Sequence, residues 1–216
     1  MKKLLILQIF IALALTSFSQ EQMGSCSSRK SSKQWQTKSA SLSIAEIAET
    51  EKYDVHFYNL DLNMNNISTY LSGSVEIHAK AKESLDSALI ELFETLIISE
   101  VQVNGTNVNY HRVSNKVTVP VNASPNQNFI IRVTYAGNPP TAQTNPLGGS
   151  GLTAGSSPSW GNKVVWSLSE PFSAYEWYAV KQSLTDKADS CAVAITVPDT
   201  CKAGSNGLLE NVEVLG

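Results

Sequence analysis

From Tyr53 onward the apolar residues of this chain fall at every second position, the period of a half-buried β-strand. Leu71, Gly73, Val75, Ile77 and Ala79 alternate with Ser72, Ser74, Glu76, His78 and Lys80. Val101 and Val103 run into Asn104-Gly105, a strong short-range hairpin signal, and Val108 and Tyr110 resume the alternation beyond it. Val117 to Val119 and Phe129 to Tyr135 read as two more strands, the second closed by Gly137 and Pro139-Pro140. Val164 to Trp166, Cys191 to Val197 and Leu208 to Val214 complete about ten strands. This pattern predicts an all-β fold, with antiparallel sheets packed as a sandwich or saddle.

The pattern is different before Tyr53. Ile44, Ile47 and Ala48 recur at helical spacing among Glu46, Glu49 and Glu51, which predicts one short amphipathic helix. Residues 20–40 are rich in Ser, Gln and Lys and read as a mobile leader. At the start, Met1-Lys2-Lys3 is a basic n-region, Leu4 to Leu15 is almost purely apolar, and Ser17 and Ser19 precede Gln20. That is the anatomy of a secretory signal peptide cut before Gln20. The apolar run of about 12 residues is short of the roughly 20 that span a bilayer, which disfavours a retained anchor. Cys26 as an acylated lipoprotein cysteine is the weaker alternative, because Met23-Gly24-Ser25 resembles a lipobox only loosely. The expected organisation is a signal peptide over 1–19, a leader with the short helix over 20–52, and a β domain over 53–216. The expected location is periplasmic, cell-surface or secreted, with no transmembrane segment after signal removal.

Two stretches break the strand rhythm. Residues 141–162 are dense in Gly, Ser, Pro, Thr and Asn, too long for a hairpin loop. Ser169 to Tyr178 is aromatic and acidic and directly follows a strand. Exposed aromatics beside a carboxylate suit a cationic ligand. The simpler reading is that Phe172, Trp177 and Tyr178 pack beneath the loop.

Composition removes several functions. With 16 Lys+Arg against 19 Asp+Glu, the 216-residue chain carries a formal charge of −3. Loss of Lys2 and Lys3 with the signal peptide makes it more acidic still. A nucleic-acid partner, which needs a basic face, is therefore not expected. Three cysteines are too few for a disulfide framework. If Pro198-Asp199-Thr200 turns a hairpin, Cys191 lies roughly 20 Å from Cys201, too far for a bridge. Free, buried thiols are expected. His56, His78 and His111 lie in different strands and form no HExxH helix, and no G-x-S-x-G elbow, P-loop or GxGxxG is present. Asp186 and Asp189 have no sequence reason to converge and read as solvated. Asn66, Asn104 and Asn122 begin glycosylation sequons, which matter only in a eukaryotic source. The residues by themselves assemble no complete active site: the catalytic and metal-ligand sets are both empty.

A resemblance supplies context. Tyr53 to Tyr58 with Leu60-Asp61-Leu62, and then Leu71 to Ile77, look like the opening strands of the N-terminal β domain of aminopeptidase N-like zinc metallopeptidases, the gluzincin aminopeptidases. Trp166 to Ala174, Asp186 to Ser190, Thr196-Val197-Pro198 and Ser205 to Leu209 follow in that family's order. Exported members of a Bacteroidetes-type branch are the most similar. The resemblance implies that Glu170 binds the free α-amine of a substrate peptide, placing the first peptide bond over a zinc-bound water. Two departures bear on specificity: Leu168 stands where Gln is common, and Ala179-Val180 where Pro-Cys is common.

The family's HExxH motif, distant Glu ligand and G-x-M-E-N motif belong to a second, thermolysin-like domain, and none occurs in this sequence. The resemblance therefore implies the amine-binding part of an exported aminopeptidase whose zinc lies in the full-length parent, inactive without its own catalytic domain. Its partners would be that domain and peptides with a free N-terminus. Two other readings stand beside it: a stand-alone secreted β-sandwich that binds a peptide, glycan or protein, and an adhesive envelope module.

Overall fold

The computed structural model describes residues 42–140, 151–168 and 172–215. The signal-peptide and leader assignments, and Cys26, lie outside the described residues. In chain order the elements are α1 (Ile44–Glu51), β1 (Tyr53–Met64), β2 (Leu71–Ala81), β3 (Leu85–Glu91), β4 (Leu96–Val103), β5 (Thr106–Asn107) and β6 (His111–Val113). β7 (Lys116–Ala123), β8 (Asn128–Gly137), β9 (Thr153–Ser156), β10 (Lys163–Trp166), a 3-10 turn (Ala174–Glu176) and β11 (Ser190–Thr196) follow. One sheet of six strands has the order β11-β1-β2-β8-β4-β5, another of three has the order β3-β7-β6, and β9 and β10 form a separate hairpin. The all-β reading with one short helix holds. β11 is the exception to antiparallel pairing, because it lies parallel to β1 from Ser190 beside Phe57 to Thr196 beside Asn63.

The large sheet buries one face, as the alternation requires. Leu71, Val75, Ile77 and Ala79 of β2 and Phe129, Ile131, Val133 and Tyr135 of β8 are all buried there. Their cross-strand partners on β1 and β4 reach the same core only through a change of phase. The β1 register shifts between Val55 and Phe57, so Tyr53 and Val55 face inward on odd positions and Leu60 and Leu62 on even ones. β4 shifts likewise between Ile98 and Glu100, which turns both Leu96 and Val101 inward. Each extra residue is a β-bulge, the device that re-aims a strand without breaking its pairing. The second sheet covers this core with Leu85, Ala88 and Ile90 of β3 and Val117, Val119 and Val121 of β7. Pro120 is tolerated within β7 because it sits where the pairing to β3 is irregular. The Tyr53 hydroxyl ties the two sheets together by donating to the Leu89 carbonyl at 2.7 Å.

The Asn104-Gly105 turn joins β4 to β5 as the sequence predicts, with φ of 50° and 79°. Val108 and Tyr110 do not continue it as a strand, and β6 begins only at His111. Gly73 has φ +152°, and a Cβ there would lie 2.1 Å from the Asp61 carbonyl oxygen of β1, so only glycine fits.

Two sequence expectations are corrected, and two others gain detail. α1 forms and is capped by Ser43, whose side chain accepts from the Glu46 N–H while Glu46 accepts from the Ser43 N–H. Its apolar stripe, however, faces away from the core: Ile44 is 89% exposed, and the helix is held instead by the Lys116–Glu46 ion pair at 2.7 Å. The Leu208–Val214 strand does not form. That stretch runs on past β11 without turning back onto a sheet edge, and its apolar side chains are exposed. Part of the long 141–162 segment is ordered as β9, which pairs with β10. Cys191 and Cys201 are free, but exposed and half-buried rather than buried. Cys191 is the second residue of β11, an edge strand of the larger sheet.

Candidate functional site

Glu170, with Ser169 and Pro171, lies outside the described residues, so the site is built from the segments on either side. β10 carries the chain to Trp166 and on to Leu168, both nearly half exposed. The Trp166 ring lies over Gly155 of β9, 3.1 Å from where a Cβ would stand, so a larger residue there would push the ring aside by a few tenths of an ångström. Beyond position 170, Phe172 takes a left-handed φ of 64°, uncommon for a bulky residue.

The chain then crosses the ends of both sheets as a strap. The Phe93 N–H donates to the Tyr175 carbonyl at 2.8 Å, and the Tyr135 hydroxyl donates to the Trp177 carbonyl at 3.0 Å. Glu91 and Val180 exchange backbone hydrogen bonds of 2.8 and 3.0 Å, so the strap extends the β3 edge by one bridge. Of the three aromatics in the simpler reading, Trp177 and Tyr178 pack as it held. Trp177 and Tyr178 lie against the core with their rings 4.7 Å apart, and Tyr178 meets Tyr58 edge-on at 6.2 Å. Tyr178 also lines an open cavity together with Tyr58 and Phe172.

Two carboxylates of the strap were not found from sequence in these roles. Glu176 is 3% exposed and accepts a 2.6 Å hydrogen bond from the Gly151 N–H. It thereby ties the strap to the residue that leads into β9. The only signal in the sequence was an acid inside an aromatic run. Asp186, read as solvated, is instead buried against Lys181, their side chains 5% and 1% exposed. Lys181 Nζ donates to this carboxylate and to the Tyr53 carbonyl at 2.6 Å, and stands 4.5 Å from the centre of the Tyr53 ring. The Val55 N–H adds a 3.3 Å bond to Asp186 Oδ2. Burial works against the Asp186 carboxylate, but Lys181 and the backbone donor outweigh it and hold the group below the usual carboxylate range. Five residues of separation gave no periodic reason for this pair, because it closes a loop rather than a helix turn. Asp189 is exposed, in line with the sequence reading.

On the outer face of the large sheet, His56 and His78 bring their rings to 6.3 Å, and His78 Nε2 lies 3.5 Å from Glu76 Oε2. His111 is on β6 of the other sheet. Among the described residues no group of three or more His, Cys, Asp or Glu side chains could hold a metal ion. These residues therefore do not fit a catalytic zinc, and no chemical step runs through one here. No helix among them is long and apolar enough to cross a membrane.

No family model matches the sequence, and no curated protein matches it. Solved structures do. The M1 zinc metallopeptidase from Deinococcus radiodurans superposes with a TM-score of 0.62 at 26% identity, over 74% of this chain and 36% of that one. A mutant form of that metallopeptidase is solved with a Tyr-Ser-Ala substrate, and a mutant two-domain M1 zinc metallopeptidase with L-tryptophan. Leukotriene A4 hydrolase from Saccharomyces cerevisiae shares the fold, with a TM-score of 0.53 at 19% identity, over 68% of this chain and 24% of its own. The chain thus spans about a third or less of the proteins it resembles. Together with the landmarks in family order, the matching fold shows that this chain carries an N-terminal β domain of the kind found in M1 aminopeptidase-like proteins.

Proposed function

We propose that this chain is the substrate-amine-binding domain of an exported zinc-dependent aminopeptidase, one that removes N-terminal residues from peptides. The observation that carries the reading is the likeness to the Deinococcus radiodurans metallopeptidase at 26% identity across 74% of the chain. Glu170 is the residue we assign to the substrate amine. A carboxylate offers fixed acceptors to a three-donor ammonium, so peptides with a free N-terminus are held in register and blocked ones are not. The zinc and the residues that activate water belong, in this reading, to a catalytic domain that docks on this one. Such a partner would also cover the exposed Leu208, Leu209, Val212 and Val214. Residues 1–19 direct export, 20–52 form the leader, and 53–216 the domain, which works in the periplasm, at the cell surface or in the medium.

The test is binding of a small-residue tripeptide, free or N-acetylated, to the whole chain. The free form is expected to bind at least about tenfold more tightly, the scale of a charge-assisted hydrogen bond, and Glu170→Gln is expected to erase the difference. Equal binding of both forms would remove Glu170 from the role and favour a stand-alone binding module.

A further inference from the structure

The register shift in β1 falls at His56, the extra residue of the bulge between Val55 and Phe57. It turns two consecutive side chains, His56 and Phe57, toward His78 of β2 on the outer face of the large sheet. Bulges recur beside functional sites, where they re-aim a side chain. This one is pinned from the other edge of β1, because the Asp189 N–H donates to the His56 carbonyl at 3.0 Å. The two imidazole rings stand 6.3 Å apart, and Phe57 backs His78 edge-on at 5.0 Å.

His78 Nε2 lies 3.5 Å from Glu76 Oε2. Glu76 is steadied in turn by Asn59 Nδ2 at 3.3 Å and Arg132 Nη1 at 3.7 Å. In the register Glu76 stands opposite Asn59, on one side of His78, and His56 lies on the other side, beyond Phe57. The nitrogens of an imidazole point to nearly opposite sides of the ring, so a proton held on Nε2 by Glu76 leaves the Nδ1 lone pair directed away from it, on the His56 side. Neither that nitrogen nor those of His56 have a hydrogen-bond partner among the described residues. Both rings reach solvent: His56 is half-buried, and the His78 side chain is 26% exposed.

The donors select the ligand. Two neutral imidazoles favour borderline cations such as zinc, nickel and copper over magnesium and calcium, which take oxygen. Metal–nitrogen bonds of about 2 Å set two ligating rings roughly 5–6 Å apart, centre to centre, so the observed pair needs only a small side-chain rotation. A carboxylate behind the histidine is the usual outer partner of a ligating imidazole. No third His, Cys, Asp or Glu among the described residues completes a metal-holding group with them, so water fills the remaining positions. We propose that His56 and His78 form a two-histidine site for a borderline divalent cation, which cross-links β1 to β2 at the bulge, with Glu76 holding His78 in the ligating tautomer. The site uses neither Glu170 nor the zinc of a catalytic domain, so it stands or falls separately from the proposed function.

The probe is zinc chloride, titrated into the isotope-labelled 216-residue chain while the imidazole resonances are followed by NMR. Saturable shifts are expected at the His56 and His78 rings below millimolar zinc, and none at His111 on the other sheet. Magnesium chloride at the same concentrations is expected to move neither ring. His56→Ala and His78→Ala are each expected to abolish saturation at the remaining ring. Glu76→Gln is expected to weaken zinc affinity about tenfold and to release His78 from its Nε2-protonated form, read in the ring nitrogen shifts. Rings that do not respond to millimolar zinc overturn the proposal, as does parental zinc affinity in any of the three variants.

Discussion

Lys181→Met tests how the strap is held. The substitution keeps the length of the side chain but removes the ammonium from the buried Asp186, leaving that carboxylate with the Val55 N–H, the Asp54 side chain and little solvent. Breaking a buried pair from one side costs about 3–5 kcal/mol, because an uncompensated charge stays behind. With a urea dependence of about 2 kcal/mol per molar for a domain of this size, the midpoint at pH 7 should fall by about 1.5–2.5 M. The pH dependence makes the test sharper. In the parent the folded pKa of Asp186 lies below its unfolded value, so its contribution is complete above about pH 4 and is lost as pH falls further. In the variant the Lys181 contributions are gone while burial, which raises the group, stays, so the folded pKa moves upward, with Asp54 and the Val55 N–H still opposing it. Less of the stability present at pH 7 is then lost on acidification. Equilibrium urea unfolding at pH 4 and pH 7 should therefore show the gap between the two proteins narrowing on acidification. Lys181→Met with Asp186→Leu should recover most of the loss at pH 7. A gap below 1 kcal/mol at pH 7, or one that widens on acidification, would refute the buried-pair account.

Three further outcomes follow from particular contacts. Gly73→Ala would put a Cβ 2.1 Å from the Asp61 carbonyl oxygen, and is expected to destabilise by several kcal/mol in denaturant unfolding. Arg112 donates to the Leu92, Phe93, Leu96 and Ser114 carbonyls at 2.8–3.0 Å, so Arg112→Met should cost about 2–4 kcal/mol in thermal unfolding. The Lys116 contact and the Ser43 cap pull the Glu46 carboxyl down to about 2, so its stabilisation of α1 is complete above about pH 4.5 and fades toward pH 2. Amide exchange in α1, corrected for intrinsic rates, should accelerate across that interval in the parent and less so in Lys116→Met.

Some of this was legible along the chain because it depends on neighbours in sequence. Alternation in β2 and β8 marks which side chains enter the core, and Asn104-Gly105 marks its hairpin, since both follow from local backbone geometry. The bulges were legible only in part. The apolar phase slips between Val55 and Leu60, and again between Ile98 and Val101, yet a slip shows that a residue is extra without showing what it pairs with. Glu170 was marked by resemblance, and no local rule of spacing points to it.

What the tertiary structure alone decided rests on contacts between residues far apart in sequence. Asp186 looks like any solvated acid until the strap folds over β1 and encloses it with Lys181 and the Val55 N–H, 131 residues away. Glu176 becomes an anchor only when Gly151 arrives beside it. The stretch from Leu208 to Val214 shows the converse. It has strand-like composition, but it pairs with no strand and its apolar side chains stay exposed. The sequence by itself determined the strand period, the hairpin turn and the side chains of the core, because those are set within a few residues of backbone. Burial, ion pairing and strand partnership were decided by the three-dimensional fold, because desolvation and hydrogen bonding depend on what surrounds a group in space.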